Sequence, residues 1–160
     1  MQYYRLGETM EPLDSLPPEE THLLAVLRPE ELHSAPLPAG LTPPQPAEEG
    51  RDNQYCRLHI GQGALSGQLR LPQRAAQSGK CFAFALAGNS LLLVDHNGFA
   101  SECIGRLTLP VGHPLSADEL LAELLTVLIH DDLSALQELE TRLSALEQSV
   151  LSEDTDRFIH

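Results

Sequence analysis

Between Met1 and Pro110 the apolar residues come in short blocks set off by glycine and proline, and after Ser116 they switch to helical spacing. The blocks QYYRL (Gln2–Leu6) and HLLAVL (His22–Leu27) have the length and composition of strands. Pro17-Pro18-Glu19-Glu20 and Pro29-Glu30-Glu31-Leu32 predict short helical turns, because proline suits the first helical position and acids suit the positive helix end. Ser34–Gly50 carries five prolines and two glycines, which remove backbone donors and bar regular structure. An extended surface loop is expected there.

The stretch from Asn53 to Pro110 is rich in strand signals. QYCRLHI (Gln54–Ile60) and ALSGQLRL (Ala64–Leu71) predict a strand pair joined across Gly61 and Gly63. CFAFALA (Cys81–Ala87) and SLLLVDH (Ser90–His96) predict a second pair, turning at Gly88-Asn89. Asn97-Gly98 then predicts a tight hairpin into a further strand, FASECI, since both residues tolerate the positive φ that such a turn demands. Leu91–Val94 is apolar at every position, so that strand should be central and covered on both faces.

Ser116 and Glu119 form a capping box, with Leu115 and Leu120 placed as its hydrophobic staple. The helix that follows is apolar at Leu120, Leu121, Leu124, Leu125, Val127, Leu128 and Ile129, a stripe wide enough to pack on the sheet. His130-Asp131-Asp132 interrupts the apolar run, and either aspartate could cap a second helix. In that second helix Leu136, Leu139, Leu143, Leu146 and Val150 repeat at three and four residues, a narrow seam suited to one partner helix. A helical hairpin is therefore expected. Ser152, followed by Asp154 and Asp156, reads as the cap of yet another helix, cut short at His160.

Charge sharpens this picture. The formal net charge is −13, and from Ser116 onward eleven acids stand against Arg142 and Arg157, so −9 of it lies there. Such a chain repels phosphate backbones, so nucleic-acid binding is not expected. Cys56, Cys81 and Cys103 are odd in number and widely spaced, as befits a reducing compartment rather than a disulfide framework. The start MQYYRLGETMEP lacks the features of a signal peptide. A bilayer-spanning helix needs about 20 apolar residues, and runs such as Leu91–Val94 are far shorter.

Catalytic and metal motifs find no support. No GxSxG, GxxxxGK[ST] or HExxH is present, and Gly61-Gln62-Gly63 lies in a hairpin without the helix a dinucleotide site requires. Asp95-His96 and His130-Asp131-Asp132 place imidazole beside carboxylate, but without paired ligands at i, i+4. A strand-end turn and a helix-junction cap account for both, and Asp154 with Asp156 reads as charge bias at a helix start. No residue is assigned a catalytic, cofactor or metal role, and no enzyme activity is expected.

The segment Ser116–Leu151 resembles CorA-type magnesium transporters. Leu139, Leu143, Leu146-Glu147 and Val150-Leu151 fill the family's leucine-rich helical pattern, and Asp131-Asp132 fills its acidic junction. CFAFALAGNSLLLVDH is similar to the paired strands before that helical arm, and QYYRL and NQYCRLHI occur in the right order. The resemblance implies an α/β fold, a mixed sheet in an α/β/α sandwich with a C-terminal acidic helical hairpin. It makes Met1–Leu151 one cytoplasmic domain, strands and loops to Leu115 and an acidic helical pair over Ser116–Leu151. Ser152–His160 would begin a stalk helix.

It further implies a domain on the cytoplasmic face of the membrane, assembling as a homopentamer and joined to the bilayer only by helices beyond His160. Acidic interfaces in the family sense Mg2+, and a zinc-transporting branch shares the architecture. No cofactor is required, and weak binding of Mg2+ or another divalent cation is the expectation. Two departures stand out: the family carries a helix where this chain has Ser34–Gly50, and a helical stretch where Phe99–Pro114 reads as strand and turn. The competing expectation is a freestanding interaction module that docks a partner helix through the leucine seam.

Overall fold

Strands dominate the chain up to Asp95 because leucine, valine, alanine and aromatic residues gather in short runs between turn residues. A computed structural model describes residues 1–17, 22–44, 56–61, 63–70, 81–95, 97–108 and 112–157. The strands are β1 (Gln2–Leu6), β2 (Met10–Leu13), β3 (Leu23–Leu27), β4 (Arg57–Gly61), β5 (Ala64–Arg70), β6 (Cys81–Ala87) and β7 (Ser90–Asp95). They form one seven-stranded mixed sheet in the order β2-β1-β3-β7-β6-β5-β4. The turn expected over Pro17–Glu20, from Pro18 on, and the end of the proline-rich segment, from Gln45 on, lie outside the described residues.

The topology joins two antiparallel blocks, β2-β1-β3 and β7-β6-β5-β4, through a single parallel pairing of β3 with β7. That pairing sets Leu24 beside Leu91 and Ala25 beside Leu92, so like faces align across the middle of the sheet. All residues of β3 and β7 are buried, as a doubly covered central strand requires. On one face Tyr3, Ala25, Leu27, Ala83, Ala85, Leu92 and Val94 form a core cluster with Leu41. Leu37 and Ala35 pack on that cluster, and the Tyr3 hydroxyl donates to the Pro36 carbonyl at 2.9 Å. The described part of the proline-rich segment is thus a lid on the sheet as much as a surface loop.

On the opposite face, α1 (Phe99–Gly105) packs against β6 and β7 and buries Phe99, Ala100 and Cys103. This corrects the strand expected for FASECI and the hairpin expected at Asn97-Gly98. Gly98 does take positive φ, at 76°, but it leads into a helix instead of back along the sheet. Asp95 decides the outcome. Its carboxylate accepts from the Asn97, Phe99 and Ser101 amides at 3.2, 3.0 and 3.2 Å and from the Ser101 hydroxyl at 3.4 Å. The Phe99 and Ser101 amides are orphan donors of a helix start, and a strand would have sent them elsewhere.

The helix α2 runs unbroken from Ala117 to Arg157, 41 residues. The expected helical hairpin is therefore a single helix, and the separate helix expected at Ser152 is part of it. The reason is local: the span contains no proline or glycine, and two aspartates in mid-helix cost only about half a kcal/mol each relative to better formers. The backbone divides into two compact units, Met1–Leu124 and Leu125–His160. Within the first, Ala117, Leu120, Leu121 and Leu124 are buried, the i, i+3, i+4, i+7 stripe of a core-facing helix.

The capping box is present. The Glu119 amide donates to the Ser116 hydroxyl at 3.4 Å, and the Ser116 amide donates to the Glu119 carboxylate at 3.0 Å. Asn89, in the β6–β7 turn, ties this helix start to the sheet. Its side-chain oxygen accepts from the Ala117 amide at 3.0 Å, its amide group meets His22, and its carbonyl accepts from Leu23 at 3.3 Å.

These caps carry a pH signature. The Ser116 amide and then its hydroxyl hold the Glu119 carboxyl below its ordinary value. The Ser116 hydroxyl holds Asp118 low, and the Arg28 amide followed by the N-terminal ammonium holds Glu31 low. A carboxylate with a depressed folded value stabilises the fold fully above its unfolded value, about 4.3 for glutamate, and loses that stabilisation as pH falls through the folded value. Melting temperature should therefore drop on acidification below about pH 4.5. Glu119→Gln should flatten part of that acid limb, and an unchanged limb in melts from pH 2 to 7 would contradict the assignment.

Gly67, in the middle of β5, is needed for close approach. A Cβ there would lie 2.5 Å from the Arg57 carbonyl oxygen and 2.9 Å from the Phe84 ring. Gly67→Ala should cost about 2 kcal/mol by overpacking and should loosen β4 first. Hydrogen exchange of the β4 amides reads this directly, and unchanged protection there would refute it.

Candidate interaction surface

Helix formation from Leu125 onward places two kinds of residue on different sides. Leu136, Leu139, Leu143, Leu146 and Val150 follow the three-four spacing of a single stripe, and each is more than half exposed, from 53% at Leu139 to 63% at Leu146. Ile129 and Leu133 precede them and Leu151 follows, all exposed. At 1.5 Å per residue the stripe from Leu136 to Val150 is about 21 Å long. A shallow apolar groove is lined by Leu143, Leu146, Glu147, Val150 and Leu151. A run of exposed leucines on one helical face marks an interaction site more often than chance exposure.

The remaining sides of the helix are polar and partly satisfied by the helix itself. The Ser134 hydroxyl donates to the His130 carbonyl at 3.0 Å, and the Thr141 hydroxyl to the Gln137 carbonyl at 2.9 Å. Glu138, Glu140 and Glu147 are exposed, as is Arg142. Low-dielectric burial plays no part here, so the charges act as surface charges, screened by salt.

The titratable pairs singled out from the sequence do not converge. Asp95 is a buried helix cap, and His96 lies outside the described residues. His130 is exposed on α2, while Asp131, Asp132, Asp154 and Asp156 belong to its helical backbone. Among the described residues no group of three or more histidine, cysteine, aspartate or glutamate side chains is placed to hold a metal ion. Cys56 is exposed, Cys81 half-buried and Cys103 buried, and none is in a disulfide.

Sequence reasoning found the leucine seam but missed a second apolar surface. Leu58 and Ile60 on the edge strand β4 are 63% and 77% exposed. Their spacing of two puts both on one face of the strand, the signal that marks them. Among the described residues no helix is long and apolar enough to cross a membrane. Comparison of the chain with family models, with curated proteins and with solved structures returned no match.

Proposed function

We propose that this chain is the regulatory and assembly domain of a CorA-like divalent-cation (Mg2+) transporter, placed on the cytoplasmic face of the membrane. The observation that carries the reading is the order of elements after the central strand: β7, the short helix α1, then a capped, acidic, leucine-seamed helix. The family places a helical stretch between its last strand and the capping box, and α1 supplies one where the sequence suggested a strand. A seven-stranded mixed sheet with α1 on one face and Leu32, Ala35 and Leu37 packed on the other fits a reduced α/β/α sandwich. In this reading homopentamer assembly rests chiefly on the stalk and membrane helices of the full-length protein, and the acidic surface concentrates cations without forming a dedicated site.

The test uses the product of the full-length gene. Two apolar runs of about 20 residues and Mg2+ flux into liposomes are expected. A product with no such runs, or one that passes neither Mg2+ nor Co2+, Ni2+ or Zn2+, overturns the reading. The exposed seam also fits a second function, a freestanding module that docks a partner helix. A full-length product without membrane helices, captured by an amphipathic helical partner through Leu139 and Leu143, would favour that one.

A further inference from the structure

We infer that the α2 seam pairs with the same seam of a second copy of this chain, parallel and in register, as a short two-stranded coiled coil. The inference goes beyond the transport reading and stands or falls on the isolated chain. With Leu136, Leu143 and Val150 at the a positions of a heptad, Leu139 and Leu146 fall at d, and all five are exposed. Glu140 and Glu147 then occupy e, and Arg142 occupies g.

Charge fixes the occupant and its direction. In a parallel pair each g residue faces the e residue five positions later on the other helix. Arg142 thus meets Glu147 of the second copy, and Glu147 meets its Arg142, two opposite-charge contacts for each pair of helices. Arg142 is the single lysine or arginine between Ser116 and Asp156, and it stands at the position that needs a cation. Among the described residues no ion pair on its own helix engages it. An antiparallel pair would instead set e against e and g against g, placing Glu140 against Glu147 in one register and Glu140 against Glu140 and Arg142 against Arg142 in the other. The seam is therefore complementary to itself in one orientation and repulsive in the other.

The contact is bounded. Asp132 and Glu153 fall at the d positions before and after, so five apolar layers, just over two heptads, carry the pairing. A self-sufficient coiled coil runs to about three or four heptads, so association should be weak, with a dissociation constant of roughly 100 µM, in the range where small interfaces lie.

Sedimentation equilibrium of the 160-residue chain between about 10 µM and 1 mM tests this. The expected result is a monomer–dimer equilibrium that Leu143→Glu weakens at least about tenfold, with circular dichroism showing the fold retained. Glu147→Arg should weaken association about fivefold, and the double variant Arg142→Glu/Glu147→Arg should restore it. A chain that stays monomeric to 1 mM overturns the inference. So does tighter association of Glu147→Arg, which an antiparallel pair would give. Association untouched by both Leu139→Glu and Leu143→Glu would place the contact elsewhere, with the β4 edge as the next candidate, and also overturns it.

Discussion

Phe82→Ala should lower the free energy of unfolding by about 4 kcal/mol, the usual cost of emptying a buried aromatic site. Phe82 is 1% exposed, pairs across the sheet with Asp95, and sets its ring 6.2 Å from that of Phe99. It therefore joins the sheet to α1, and alanine would leave a cavity bounded by a strand on one side and a helix on the other. Neither wall can collapse freely, because β6 and β7 are held by their ladder and α1 by its cap. Domains of this size are stable by about 5–15 kcal/mol, so the loss is a large share of the total. Urea titration should show a lower midpoint with an unchanged slope. A loss below about 1.5 kcal/mol would mean that the ring is not the joint.

Asp95→Ala should cost about 3 kcal/mol, since it takes the carboxylate acceptor from one buried and three partly buried donors. Asp95 is 4% exposed and accepts from three amides and one hydroxyl, all in the first turn of α1 or just before it. Removing it takes the carboxylate acceptor from the buried Phe99 amide, which is the costly half of losing a hydrogen bond. Asp95→Asn keeps one oxygen and should recover about half of the loss. Hydrogen exchange should find the amides of Phe99 and Ser101 the most affected in either variant. Uniform loss of protection across the sheet, with α1 no worse than β5, would show that Asp95 acts on the whole fold instead of capping one helix.

These two residues also mark where the sequence could be read and where it misled. Phe82, Phe84 and Leu91–Leu93 announce central strands by apolar runs bounded by Gly88-Asn89, and the β6–β7 pairing follows from that pattern. Ser116 and Glu119 announce a helix start, and both reciprocal bonds are made. Asn97-Gly98 pointed the wrong way, because the same positive φ serves a hairpin and a helix entrance. The signal that separates them is a carboxylate two to four residues upstream, and Asp95 supplies it. His130-Asp131-Asp132 misled for a different reason: aspartate favours caps but tolerates a helix interior when neither glycine nor proline is near. The seam of α2 was legible as spacing, whereas its exposure depends on what packs against it, which spacing does not encode. β2 was hidden by Pro12, which a strand accepts at the margin of a sheet.

The single parallel junction between β3 and β7 has a consequence for how the molecule is made. β4 to β7 can zip by successive hairpins, each closing a local loop, but β3 must find β7 across a long intervening stretch. His22 and Asn89, which meet at the mouth of that junction, are 67 residues apart in the chain. Loop closure grows slowly costlier with length, and non-local pairings slow folding more than they weaken the product. Synthesis delivers β1–β3 first and leaves them waiting, three strands with the apolar margin of β3 bare, until the last hairpin emerges. Docking of the two antiparallel blocks is therefore the expected slow step of folding, and the time before it is when the open side of β3 could meet wrong partners.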